Sequence, residues 1–177
     1  MDKIGKIVFV TGPVKSGKSD FAVKYAIENF KEVIFIATAK PIDDEMRKRI
    51  EEHKKNRPKD WLTVEEGIDV EKVVEKLYGK FLIIDCITFW ISNLIYENFD
   101  ERKIIEKVEK LIKNIKKNDL SVIIVSNEVG WGIVPENKVA RVFRDIMGKV
   151  HQIISKNSDY VYLMVSGMPL ILKGGVK

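Results

Sequence analysis

Short apolar runs alternate along this chain with segments whose apolar positions recur at steps of three and four. Ile7 to Val10, Val33 to Ala37, Phe81 to Ile84 and Ser121 to Ser126 are the runs. Each is too short for a buried helix and ends at polar residues, so the pattern predicts strands covered on both faces. Trp61 to Glu65 reads as a further short extended segment. Between the runs, Phe21, Ala22, Tyr25 and Ala26 mark a helix. A second helix is expected from Asp43 to about Asn56, with acids in its first turn and Lys54, Lys55 and Arg57 at its end, as the helix dipole favours. Val70 to Leu77 predicts a third, and Ile87 to Glu97, rich in apolar and aromatic residues, a largely buried fourth. Ile104, Ile105, Val108, Leu111, Ile112 and Ile115 make Glu101 to Lys117 amphipathic, and Val139, Val142, Phe143, Ile146, Val150 and Ile153 do the same for Glu136 to Lys156. Gly130 to Pro135 reads as a loop. Tyr160 to Val165 and Leu170 to Lys173, split by Ser166-Gly167-Met168-Pro169, predict two strands and a tight turn. Alternation of this kind implies an α/β fold: a mainly parallel sheet flanked by helices, closed by a C-terminal β-hairpin.

The chain has 177 residues, which suits one domain over residues 1–177, with no repeat or linker to suggest a second. Apolar residues make up 45% and charged residues 32%, a composition that argues against disorder. The net charge of +5 is spread along the chain, so it favours small anions as much as nucleic acid. Cys86 is the one cysteine and falls in the apolar run Phe81 to Ile87, where a buried, inert thiol in a reducing cytoplasm is expected. No run approaches membrane-spanning length and no secretory leader pattern is visible, so a cytoplasmic protein without a membrane span is expected.

The pattern acquires chemistry at Gly12-Pro13-Val14-Lys15-Ser16-Gly17-Lys18-Ser19, set between a predicted strand and a predicted helix. That context identifies a phosphate-binding loop. Glycines at both ends let the backbone turn its N–H groups into one concavity, and the following helix adds the positive end of its dipole. Lys18 is expected on the outer phosphates as a catalytic residue, and the Ser19 hydroxyl on magnesium. Asp85, closing the run Phe81 to Ile84, matches the strand-end carboxylate that holds a magnesium shell or an ordered water; alone, it also reads as a turn-forming aspartate. His53 lies seven residues after Met46 and three after Ile50, on their apolar face, where a packed or half-buried helix histidine is the ordinary reading. Lys54, Lys55 and Arg57 beside it would suit phosphate held around an imidazole nucleophile, although a charge run of this kind is most often a solvated helix end.

A family resemblance runs through these residues. Gly12 to Ser19, Ala37-Thr38, Asp43-Asp44-Glu45-Met46, His53-Lys54, Arg57-Pro58, Asp85-Cys86-Ile87-Thr88 and above all Ser126-Asn127-Glu128-Val129-Gly130-Trp131-Gly132 resemble the bifunctional adenosylcobinamide kinase / adenosylcobinamide-phosphate guanylyltransferase family of cobalamin assembly. The resemblance implies a P-loop NTPase fold of RecA-like type. It implies phosphorylation of adenosylcobinamide by ATP or GTP, then transfer of GMP from GTP through a guanylylated histidine, with magnesium as the metal. On this resemblance His53 is the nucleophile. The nucleotide-contacting positions are Gly12, Pro13, Val14, Lys15, Ser16, Gly17, Lys18, Ser19, Ala37, Thr38, Ala39, Lys54, Lys55, Asn56, Arg57, Glu65 and Asp85, with Ser19 and Asp85 on the metal. Its partners are the corrinoid and the nucleoside triphosphate, with no nucleic acid. It further implies a homotrimer that shares the corrinoid site between subunits, a contact that Phe89 to Tyr96 would suit as well as it would suit the core. His151 stands where the family commonly has Asn and reads as a substituted polar helix position. Two other classes fit the loop: a kinase of another small metabolite, in which His53 is structural, and a RecA-like nucleic-acid-binding module, which would want a basic strip with aromatics.

Overall fold

The computed structural model describes residues 5–55 and 57–175. Among them the elements run β1 (Ile7–Gly12), α1 (Lys18–Asn29), β2 (Val33–Ala37), α2 (Asp44–Lys55), β3 (Leu62–Glu65), α3 (Val70–Glu75), β4 (Phe81–Asp85), α4 (Ile87–Tyr96), α5 (Glu101–Lys117), β5 (Ser121–Asn127), α6 (Lys138–Asn157), β6 (Tyr160–Val165) and β7 (Met168–Lys173). The strands form one seven-stranded sheet in the order β3-β2-β4-β5-β1-β6-β7. All pairs are parallel except β6 with β7.

The period-2 geometry of a strand sends alternate side chains to opposite faces, and both faces are covered here. Ile7, Phe9, Leu82, Ile84, Val122 and Ile124 face the side packed by α3, α4, α5 and α6, where Trp90, Leu94, Val108, Leu111 and Met147 are buried. Val8, Val10, Phe35, Ile83, Ile123 and Val125 face α1, with Ala22 and Ala26 allowing close approach. The ends of the long helices are capped as the chain's Asp and Asn residues favour: Asp100 accepts from Lys103 N at 2.8 Å and Asn137 from Ala140 N at 3.2 Å.

The order of the strands positions the site. β5 is inserted between β1 and β4, in register Gly12↔Asn127 and Asp85↔Val125. The polar ends of these three strands therefore lie side by side along one edge of the sheet, where ligands bind in open α/β folds.

Two expectations shift. β7 begins at Met168, leaving Ser166-Gly167 as a two-residue turn in which both residues have positive φ, 51° and 81°. This is the turn geometry whose twist matches paired strands, so Met168 and Pro169 pair within the hairpin. α4 divides along its own axis: Ile87, Trp90, Ile91 and Leu94 are buried, whereas Tyr96 is 89% exposed. The segment Phe89 to Tyr96 is thus core on one face and surface on the other.

Trp90 is fully buried and its indole N–H donates to Ile68 O at 2.9 Å. Trp90→Ala removes a large volume and takes away the shorter of two hydrogen bonds to that carbonyl, which Lys107 Nζ also reaches at 3.3 Å, so it should cost about 3–5 kcal/mol, chiefly through the cavity. A fall in the urea midpoint at unchanged slope is the expected readout, and a loss below about 1 kcal/mol would contradict the packing described.

Candidate active site

The loop from Gly12 to Ser19 leaves β1 and enters α1 directly. Gly12 admits no side chain, since a Cβ there would lie 2.5 Å from the Met164 carbonyl oxygen. Gly17 caps α1 at φ 89°, a left-handed conformation in which glycine carries no Cβ penalty. Pro13, Val14 and Lys15 are exposed, and Ser16 and Lys18 are buried. Lys18 Nζ donates to Pro13 O at 2.7 Å and lies 3.4 Å from Ser16 Oγ. Burial pulls the Lys18 amine below its ordinary pKa, against the charge of Asp85. Its partner in the loop is a neutral carbonyl, an acceptor weaker than a phosphate oxygen.

Ser19 Oγ donates to Asp85 Oδ2 at 2.8 Å, bringing together the two residues expected on magnesium. Two adjacent hard oxygen donors suit a magnesium ion, which usually takes one or two protein oxygens and completes its shell with phosphate and water. No group of three or more His, Cys, Asp or Glu side chains able to hold a metal occurs among the described residues.

Ser19 and Asp85 share a cavity with Asp20, Val23, Phe35, His53 and Arg57. The Arg57 guanidinium lies 3.7 Å from the centroid of the Phe35 ring, and its Nη1 is buried with no hydrogen-bond partner. Burial lowers the Arg57 pKa, opposed by Asp85 and Glu65. A stacked guanidinium with an unpaired buried N–H is a donor that an anion would satisfy. His53 corrects the ordinary reading of its helix position: it is exposed, while Met46 and Ile50 are half-buried. Among the described side chains of α2 none is buried, so its apolar face is only a partial contact and ends before the last turn.

The remaining expected positions scatter around this cavity. Ala37 ends β2, and Thr38 is fully buried, donating from Oγ1 to Cys86 O at 2.7 Å and accepting from Cys86 N at 2.9 Å. Ala39 is half-buried, Lys55 is exposed, and Lys54 pairs with the exposed Glu65 at 2.5 Å. Asn56 lies outside the described residues. Burial, and next the Asp85 charge, push the Cys86 thiol up to about 12, which makes it the inert thiol expected.

The sequence profile described as cobinamide kinase / cobinamide phosphate guanyltransferase matches residues 8–172. The chain belongs to this cobinamide kinase / guanyltransferase family. Among its relatives, the bifunctional adenosylcobalamin biosynthesis protein CobU of Salmonella typhimurium is 37% identical, with 94% of this chain and 99% of that one covered. CobP of Pseudomonas aeruginosa, a bifunctional adenosylcobalamin biosynthesis protein by name, is 36% identical over 93% and 96%. Among solved structures, the flagellar accessory protein FlaH of Methanocaldococcus jannaschii superposes with a TM-score of 0.55 at 14% identity, covering 98% of this chain and 82% of that one. A KaiC-like protein of Pyrococcus horikoshii gives 0.55 at 19%, covering 96% and 79%. These likenesses bear out the P-loop, RecA-like fold.

In this member of the cobinamide kinase / guanyltransferase family, Ser126, Glu128 and His151 meet in a polar cluster at the end of β5 that their separation in the chain does not foretell. His151 is a polar helix position, as expected, but a largely buried one: its side chain is 13% exposed, its Nε2 lies 2.8 Å from Ser126 Oγ, and its ring tilts against Phe9 at 5.4 Å. Its Nδ1 faces Glu128 Oε2 at 3.6 Å. Glu128 and His151 stand 23 positions apart in the chain, so only the close approach of α6 to β5 joins them. Arg141 holds Pro135 O at 2.9 Å, and Arg144 holds Ile133 O at 3.1 Å and the Gly130 carbonyl, so α6 fastens the whole loop after β5.

Burial pushes the His151 imidazole below its ordinary 6.5, against the pull of Glu128. The unfolded chain therefore binds a proton at pH values where the folded chain does not. This contribution to stability is complete above the unfolded value and is lost as pH falls through the lower folded one. Between about pH 8 and pH 5, Tm should fall further for the unaltered protein than for His151→Asn. Parallel falls would contradict the assignment.

Proposed function

We propose that this protein phosphorylates the aminopropanol hydroxyl of adenosylcobinamide with ATP or GTP, and then passes GMP from GTP through guanylyl-His53 to the new phosphate, giving adenosylcobinamide-GDP. The observation that carries the reading is the single cavity shared by Ser19, Asp85, Arg57 and His53. The cavity is small, but a triphosphate bound along the phosphate loop beside it would meet both the loop and a nucleophile.

In the first reaction the loop N–H groups and the start of α1 hold the triphosphate, and Lys18 leaves the Pro13 carbonyl for the outer phosphates, where it offsets developing charge. Ser19 and Asp85 would hold magnesium, which supplies further charge neutralisation when bound. In the second reaction a neutral His53 nitrogen attacks the α-phosphorus of GTP. The bond to the α–β bridging oxygen breaks and pyrophosphate leaves with the electron pair. Arg57 offers its unpaired N–H to the phosphate oxygens during this step. The exposure of His53 suits the onward transfer, because a large corrinoid phosphate has to reach the phosphoramidate.

The reading extends to a cytoplasmic homotrimer with the corrinoid bound at a subunit boundary. A hollow of about 350 Å³ between α4 and the start of α6, lined by Ile95, Tyr96, Val139 and Phe143, suits an apolar contact of that kind.

Incubation with α-labelled GTP followed by denaturing electrophoresis tests the two chemistries together. The unaltered protein should carry a covalent GMP that His53→Ala abolishes, while His53→Ala still phosphorylates adenosylcobinamide. Lys18→Ala should lose phosphorylation by at least about 100-fold. An adduct retained in His53→Ala would overturn the nucleophile, and a protein that phosphorylates but never labels would be a simple kinase.

A further inference from the structure

Phosphoryl transfer to a hydroxyl needs a group to receive the proton, and none of the residues so far assigned does so. Lys18 is a donor, and Asp85 is committed to Ser19. The end of β5 holds another carboxylate. Because β5 lies between β1 and β4, its terminal residues sit between the phosphate loop and Asp85. Glu128 follows directly on β5, and its backbone N–H donates to Gly12 O at 2.8 Å, at the root of the loop.

The Glu128 side chain is 20% exposed and doubly oriented. Oε1 accepts from Gly130 N at 2.6 Å, and Oε2 faces His151 Nδ1 at 3.6 Å. His151 in turn is held by Ser126 Oγ, which also meets Thr88 Oγ1 at 3.1 Å, and Thr88 Oγ1 accepts from Asn127 N at 2.7 Å. The order Ser126, His151, Glu128 is that of a nucleophile, base and orienting acid, but Ser126 is fully buried and cannot meet a substrate. The accessible member is the carboxylate. It stands at the base of a loop whose Trp131, Ile133 and Val134 are 70%, 95% and 70% exposed, an apolar surface suited to a bulky acceptor.

We propose that Glu128 accepts the proton of the acceptor hydroxyl in the phosphoryl transfer and that His151 is a positioning residue for it, an assignment that rests on the kinase reading above. The hydroxyl oxygen bonds to the terminal phosphorus, and the bond from that phosphorus to the bridging oxygen breaks. The electron pair leaves with the nucleoside diphosphate, and the proton passes to the Glu128 carboxylate. Guanylylation of His53 involves no hydroxyl, so it does not need Glu128.

Glu128→Gln tests this, since its amide oxygen can still accept from Gly130 N and keep the loop in place. Expected are a fall of about 100-fold or more in kcat for phosphorylation of adenosylcobinamide, a nucleotide KM within about threefold, and an unchanged yield of labelled His53. His151→Ala should lower the same kcat by about tenfold with nucleotide KM unmoved, and His151→Asn, which keeps a hydrogen-bonding side chain where the family commonly has one, should restore it. A Glu128→Gln kcat within about fivefold of the unaltered protein would overturn the assignment. So would joint loss of phosphorylation, nucleotide affinity and His53 labelling, which would make Glu128 a structural support. Absence of both reactions from the unaltered protein would overturn the functional reading itself, and this assignment with it.

Discussion

The phosphate loop works only if its backbone N–H groups are fixed before the ligand arrives, and two backbone hydrogen bonds from distant parts of the chain do this. Gly12 O accepts from Glu128 N at 2.8 Å, and Ser16 O accepts from Gly167 N at 3.1 Å. The first ties the root of the loop to the end of β5. The second ties its crest to the β6–β7 turn, whose Gly167 Cα would lie 3.3 Å from a Cβ on Gly17. With their carbonyls anchored outward, the peptides of the loop can turn N–H groups toward an anion at little further entropic cost. The hairpin at the sheet edge, every residue of β7 exposed, thereby has a part in the site.

Around this fixed loop the neighbouring elements differ in how firmly they are held. α4, α5 and α6 bury continuous apolar faces, whereas α2, which carries His53, Lys54 and Lys55, has no buried side chain described for it. Segments with little buried apolar contact open at low free-energy cost. Placing the proposed nucleophile, His53, on such a segment fits a site that admits a nucleotide and then a large acceptor. The groups that must stay fixed, Lys18, Asp85 and Glu128, sit at or just beyond strand ends and the start of α1.

Periodicity alone carried most of the fold, because strands buried on both faces and amphipathic helices leave unlike signatures. The phosphate loop between β1 and α1 and the place of Asp85 at the end of β4 were also legible, since both patterns are local in sequence. What escaped was set by tertiary contact. His53 shares a helical face with Met46 and Ile50, but that face is only partly covered, so spacing could not tell its exposure. His151 reads only as a substituted polar helix position because nothing in its own helix indicates its contacts with Ser126 and Glu128. Pro169 makes the hairpin turn look longer in sequence than it is, because Ser166-Gly167 already supplies both positive φ angles.

The central claim is that one triphosphate site, bounded by the loop and by His53, serves both reactions. An ATP analogue with methylene groups in place of both bridging oxygens is inert in either reaction but retains the phosphates that the loop recognises. Labelling of His53 by GTP should be inhibited competitively by this analogue, over the concentration range in which it inhibits phosphorylation, and restored by excess GTP. Full labelling of His53 while the analogue saturates the kinase site would contradict a shared site.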